Sequence, residues 1–194
     1  MSSYSPLPNK FFRENCQPDL DTNPIYGITH RPISQETRLA MINEIHQKKI
    51  PVEAKVNSGK IGIRQVKAWR IPLNTDIAET LNYIILDLNE IYNYRLACIQ
   101  DIQYLEYQAG DFYDWHTDIA DGISSLRKIS MSYVINDDFD GGELEFFHGG
   151  EKIIINATKD SLIAFTSFIN HRVHKVTRGV RKALVVWVNG ESWR

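Results

Sequence analysis

Cysteine is scarce in this chain of 194 residues: Cys16 and Cys98 are the only two. Two thiols cannot build a disulfide framework, and they lack the spacing of a zinc ribbon. They read as reduced thiols, so a cytoplasmic location is expected. Long apolar runs are missing as well. The longest, Ala183 to Val188, is strand-sized and far below the roughly 18 residues of a membrane span. No membrane association is expected. The N-terminus opens Met-Ser-Ser-Tyr-Ser-Pro-Leu-Pro, without a basic segment leading into an apolar one, so no secretory leader is expected. Gly-x-Gly-x-x-Gly, a Walker A loop and internal repeats are all absent, which removes the common nucleotide-binding signatures. Neither charge dominates: 22 Lys and Arg face 24 Asp and Glu, a net charge of −2. A general nucleic-acid coat would be basic, so nucleic acid is disfavoured as a partner.

What is present suits one globular domain. Hydrophobic residues make up 43% and charged residues 24%, and a chain of this length buries a core without staples. Residues 1–24 carry Pro6, Pro8, Pro18 and Pro24 among polar residues and read as an irregular N-terminal arm. Residues 25–194 read as the domain, with helical support over 25–94 and a β-rich core over 95–194. Leu39, Ile42 and Ile45 recur at helical spacing after Ser34, which predicts a helix over about 35–48, ended by Pro51. Residues 61–73 look extended. Ile77, Leu81, Ile84, Ile85, Leu88 and Ile91 predict a second helix to about residue 93, capped by Asn74 or Thr75. Eight short β-rich runs then follow between Gly- and Asp-containing turns, from Ile99–Tyr107 to Lys182–Asn189. The fold class is α+β, mainly β: a sandwich with helices on one face.

His116-Thr117-Asp118 places an imidazole and a carboxylate two residues apart. On a strand such residues share a face and can converge on one ion. Alone the pair is weak, since about 0.7 such matches arise by chance from six His and 24 acids. A third ligand must come from elsewhere. His30 and His46 lie in the N-terminal part and His148 at a Gly-Gly turn. His171 and His174 lie in one late strand, and being three apart they face opposite sides, so at most one meets the metal. Two His and one carboxylate leave coordination positions open, as in non-haem Fe(II) oxygenases. Arg181 is reached after an apparent turn near Thr177 to Val180. A hairpin there would return it beside the first strand, where an Arg can grip a carboxylate through two hydrogen bonds. Arg172, Lys175, Arg178 and Lys182 read as solvated charges of that hairpin.

The ordered pieces resemble the 2-oxoglutarate/Fe(II)-dependent dioxygenases, in particular their prolyl 4-hydroxylase-like branch. Tyr107-Gln-Ala-Gly-Asp-Phe-Tyr113-Asp-Trp-His116-Thr-Asp118 is similar to that branch's Y-x-x-G-x-x-Y-x-x-H-x-D stretch. Asp140-Gly141-Gly142-Glu143-Leu144 resembles its G-G-E-L turn. His171, Val173, Val176, Gly179 and Arg181 match its distal stretch, and Trp187 falls on the last strand where the family often has Trp. The resemblance covers about 95–190 by motif and 25–94 only by layout. It implies a double-stranded β-helix (jelly roll). It implies His116, Asp118 and His171 as iron ligands and catalytic centre, and Arg181 and Tyr107 as holders of the far carboxylate of 2-oxoglutarate. Lys175 departs from the family, which often has Pro there. Gly141, Gly142 and Glu143 read as structural.

The implied activity is hydroxylation of a prolyl or other amino-acid residue, or of a small metabolite. Dioxygen and 2-oxoglutarate are consumed, succinate and CO2 released, and ascorbate is admitted as a reductant. The expected partner is a peptide, protein or amino-acid-like substrate. The nucleic-acid demethylase pattern Arg-x-Asn-x-x-x-x-Arg is missing from the distal segment. Two other classes compete: a cupin-like metal enzyme that does not use the keto acid, and a non-catalytic β-sandwich binding module. Tyr113, Asp114 and Trp115 are candidate pocket residues, with Arg64 and Trp69 weaker ones, and residues 56–62 a candidate lid. The balanced total hides a segregation. Residues 101–145 hold eleven acids against two cations, while residues 171–182 hold five Lys and Arg. Acid and histidine gather where a cation would bind, and the basic stretch would face a dianionic keto acid.

Overall fold

The computed structural model describes residues 26–30, 34–48, 52–53, 64–73 and 76–192. The proposed N-terminal arm, the candidate lid, Cys16, Pro51 and both candidate caps of the second helix lie outside them. The elements run β1 (Tyr26–His30), α1 (Gln35–Lys48), β2 (Val52–Glu53), β3 (Arg64–Gln65), β4 (Lys67–Arg70), α2 (Asp76–Tyr92) and β5 (Leu96–Gln108). Then follow β6 (Phe112–His116), β7 (Arg127–Val134), β8 (Phe139–Gly141), β9 (Leu144–His148) and β10 (Glu151–Ile155). The last are β11 (Ser161–Thr166), β12 (Asn170–Val173) and β13 (Val176–Gly190).

Two antiparallel sheets result. The larger follows the order β1-β11-β7-β13-β5-β4-β2, with β8 added to β13, and the smaller follows β10-β9-β12-β6-β3. Strands covered on both sides are apolar on both sides. On β5, Ile102 and Tyr104 join the cluster beneath the helices, which also holds Leu81, Ile85 and Leu88 of α2. Leu105 and Tyr107 of the same strand join a second cluster with Leu144 and Phe146 of β9, Phe165 of β11 and Val173 of β12. That second cluster fills the space between the sheets. The alternation places Tyr107 toward the opposing sheet and Tyr104 toward the helices. This is a double-stranded β-helix with its helices on one face. No helix among the described residues is long and apolar enough to cross a membrane.

Several expectations are corrected. The N-terminal part is not only helical support: β1, β2 and β4 extend the larger sheet, and β3 joins the smaller one. His30 therefore sits on a strand, paired with Ser161 of β11. In α1, Ile42 is buried but Leu39 is 51% exposed. The inward residue is Arg38, whose Nη1 donates to the Ile135 carbonyl at 2.7 Å and pairs with Asp160 at 3.2 Å. The hairpin at Thr177 to Val180 does not exist, because β13 runs unbroken through it and belongs to a different sheet from β12. Gly179 (φ +73°) is there for contact: a Cβ would lie 2.3 Å from the Asp138 carbonyl beside β8. The chain changes sheet at His174 and Lys175, between β12 and β13.

Candidate metal centre and keto-acid pocket

His116 ends β6 and His171 lies on β12, and their Cα atoms are partners in register. Neighbouring strands therefore present two imidazoles side by side, with ring centroids 4.1 Å apart. Asp118, two residues beyond His116, leaves the strand, and its N–H donates to the Ser167 carbonyl at 3.0 Å. That bond turns its carboxylate back toward the rings. Oδ1 lies 3.7 Å from His116 Nε2 and Oδ2 lies 3.6 Å from His171 Nε2. One ligand atom from each residue falls within 4.8 Å of the others. Three ligands about 2.1 Å from one ion at right angles stand about 3 Å apart, so the site needs only a small contraction.

The second shell aims the rings. His116 Nδ1 meets the Asp114 carbonyl at 2.7 Å and His171 Nδ1 meets the Ile169 carbonyl at 2.9 Å. A carbonyl only accepts, so each Nδ1 carries a proton and each Nε2 faces the site. Tyr113 stacks on His116 at 3.4 Å between centroids, and Phe165 abuts His171 edge-on at 4.7 Å. Burial, reinforced by neighbouring His171, lowers the His116 pKa to about 3. Burial opposes ionisation of Asp118, but His171, His116, the Ser130 hydroxyl and Arg127 outweigh it and hold its carboxyl below the usual range. Near neutral pH the site thus offers neutral imidazole at His116 and a carboxylate, the protonation state that a divalent metal takes.

Arg181 faces the same narrow cavity, which Arg64, Tyr107, Tyr113 and Trp187 also line. Its Cα is in register with Tyr107 across β13 and β5, and its guanidinium lies over the Tyr107 ring at 5.5 Å. It is 3% exposed. Among the described residues no carboxylate forms an ion pair with it. Burial depresses its pKa and raises that of the Tyr107 hydroxyl. Glu143 acts on it only at a distance; a buried cation beside a protonated phenol, with no ion-pair partner among the described residues, fits a ligand that brings its own carboxylate.

Two of the other four cations of the 171–182 stretch are paired elsewhere. Arg172 and His174 both bind Glu145, the latter at 2.9 Å, and Arg178 binds Asp140. His174 thus stays off the triad, as its spacing from His171 requires. Asp114 is exposed. Trp115 lies under Arg172 at 4.7 Å, away from the cavity. Trp69 belongs to the cluster beneath the helices. Arg64 does line the cavity: it sits over Tyr113 at 4.7 Å and its Nε is buried without a hydrogen-bond partner. Arg127 was not expected. Its Nη1 donates to the Asp118 carbonyl at 2.9 Å while its guanidinium covers Trp187 at 4.4 Å. Nothing in the spacing of Arg127 signals that role.

Two imidazoles and a carboxylate within a double-stranded β-helix form a ligand set of the kind that non-haem Fe(II) oxygenases use. Residues 102–189 match the family model of the 2OG-Fe(II) oxygenase superfamily. It is 29% identical over 123 residues to a PKHD-type hydroxylase of Synechococcus sp. (strain CC9902), covering 61% of this chain and 54% of the relative. It is 34% identical over 88 residues to a PKHD-type hydroxylase of Synechococcus sp. (strain JA-2-3B'a(2-13)), covering 42% and 39%. The chain thus spans about half the length, or less, of the curated relatives it matches. A prolyl-4-hydroxylase of Pseudomonas putida superposes with a TM-score of 0.66 at 19% identity, covering 86% of this chain and 93% of the other. A prolyl hydroxylase of Trichoplax adhaerens, solved with a peptide fragment of hypoxia inducible factor, gives 0.67 at 17% identity, covering 85% and 83%. These likenesses establish the fold.

Proposed function

We propose that this chain is an Fe(II)- and 2-oxoglutarate-dependent dioxygenase that hydroxylates an amino-acid residue, foremost a prolyl residue, in a peptide. One observation carries the reading. Two imidazole Nε2 atoms and an ionised carboxylate converge beside a buried guanidinium that has no ion-pair partner among the described residues. The relatives named as PKHD-type hydroxylases support hydroxylation, and the peptide-bound neighbour supports the substrate class.

When bound, iron and 2-oxoglutarate supply the oxidation: dioxygen is reduced, the keto acid becomes succinate and CO2, and a substrate C–H becomes C–OH. The chain's own residues hold and orient. His116, Asp118 and His171 would hold the metal. Arg181 and Tyr107 take the far carboxylate of the keto acid, Arg181 as a charged fork and Tyr107 as a hydroxyl donor. Tyr113 and Phe165 keep the imidazoles from rotating, and Arg127 braces the backbone of Asp118.

The test is succinate release in the presence of Fe(II), screened over prolyl peptides, other peptides and free amino acids. A prolyl peptide is expected to stimulate succinate formation and gain one oxygen by mass. Stimulation by free amino acids alone would overturn the peptide assignment. Turnover of a substrate without 2-oxoglutarate would favour a cupin-like enzyme instead.

A further inference from the structure

The Gly-Gly turn after β8 touches the cation assigned to the keto acid. Gly142 has φ +71°, and a Cβ built on it lies 2.8 Å from Arg181 Cδ and 3.0 Å from Val176 Cγ2. Carbon atoms in contact prefer about 3.5–4.0 Å, so one partner would have to move. The glycine is not free to do so. Its N–H donates to the Lys175 carbonyl at 3.3 Å, and neighbouring Gly141 is in register with Val176 of β13. Gly142 is therefore anchored to the same strand that carries Arg181.

The backbone of Arg181 cannot retreat either. On one side its Cα is in register with Tyr107. On the other, the Asn136 amide spans its two neighbours, donating to the Val180 carbonyl and accepting from the Lys182 N–H, both at 2.7 Å. What remains movable is the Arg181 side chain, in the segment between Cα and guanidinium that fixes where the fork points. Gly141 has a different task. Its Cβ would strike the Lys175 carbonyl at 2.4 Å, so it permits a backbone approach, whereas Gly142 makes room for a side chain.

We propose that Gly142 is a positioning residue for the keto acid: its missing side chain is the space in which the Arg181 shaft lies, aiming the guanidinium over Tyr107. The assignment rests on the reading of Arg181 as the far-carboxylate partner. A side chain at residue 142 would misdirect the fork while leaving the metal ligands in place, so it would weaken dicarboxylate keto acids selectively.

The experiment is calorimetric binding to the Mn(II)-loaded protein of 2-oxoglutarate and of 2-oxobutyrate, which lacks the far carboxylate. Gly142→Ala is expected to weaken 2-oxoglutarate about tenfold, as misaligning a charge-assisted fork does. Binding of 2-oxobutyrate and of Mn(II) is expected to stay unchanged. Gly150→Ala controls for backbone strain, because Gly150 has φ +86° with nothing within 4 Å of its Cβ; it is expected to match wild type in all three. Unchanged 2-oxoglutarate binding in Gly142→Ala, or equal loss of both keto acids, would overturn the proposal. If Arg181→Ala leaves 2-oxoglutarate unaffected, the underlying assignment of Arg181 fails instead. Should Gly142→Ala not fold, Gly142→Ala/Arg181→Ala decides. Recovery of the melting temperature of Arg181→Ala places the collision on the Arg181 shaft, and no recovery overturns the proposal.

Discussion

Replacing Arg181 with methionine should move stability and ligand binding in opposite directions. The side chain is 3% exposed and burial depresses its pKa, so without a keto acid the charge is desolvated and poorly compensated. Methionine keeps most of the shaft's volume and removes the charge. Relief of even about 1 kcal/mol of desolvation raises the melting temperature of a protein this size by about 2–4 °C. With 2-oxoglutarate the balance reverses. A ligand at 100 times its Kd stabilises the folded state by about 2.7 kcal/mol, which is a shift of roughly 5–11 °C. Losing two hydrogen bonds to a charged group, at about 1.5–3 kcal/mol each, weakens binding by more than a hundredfold. The shift then collapses at the same ligand concentration. The assay is thermal melting of the Mn(II)-loaded wild type and Arg181→Met, with and without 2-oxoglutarate. A variant that melts below wild type without the keto acid, yet keeps the full ligand-induced shift, would refute this reasoning.

Two further outcomes concern the unliganded protein. The His116 pKa is lowered from 6.5 to about 3, so between these values the unfolded chain binds a proton that the folded chain refuses. Stability from this group is full above pH 6.5 and is lost as pH falls toward 3, at about 1.4 kcal/mol per unit. Urea midpoints of the metal-free protein should decline from pH 6.5 downward, less steeply in His116→Ala. Phe146 is fully buried, with its ring centroid 4.9 Å from Phe165 and 5.4 Å from Tyr26. Phe146→Ala should cost about 3–5 kcal/mol in chemical denaturation; a loss under 1 kcal/mol would mean that the space between the sheets is not well filled.

Helix α2 was legible from its 3.6-residue spacing because one face meets the larger sheet. In α1 the spacing found the helix but misread its face, since Leu39 is exposed and Arg38 turns inward. The strands of the second half were legible from their β-rich runs and turn residues. Strands β1 and β8 were not, since five and three residues carry too little pattern and each owes its existence to a distant partner, β11 or β13. Gly179 misled for a physical reason. A glycine that ends a strand and one that lets another backbone approach look alike in sequence, and only the Asp138 carbonyl at 2.3 Å from its would-be Cβ separates them. The triad was legible through motif order, yet what joins its parts is register: β12 lies against β6 with His171 opposite His116. The segregation of charge was real but overread. Of the five Lys and Arg in 171–182, Arg172 and Arg178 neutralise Glu145 and Asp140. Of those five cations, only Arg181 lines the cavity beside the triad.

The proposed centre is tested most directly by adding 2-oxoglutarate to the Fe(II)-loaded protein under anaerobic conditions and recording the visible spectrum. Chelation of the keto acid to a metal held by His116, Asp118 and His171 predicts a weak charge-transfer band in wild type and none in His171→Ala. A folded wild-type protein that binds Fe(II) and shows no band, or a band that survives in His171→Ala, would contradict it.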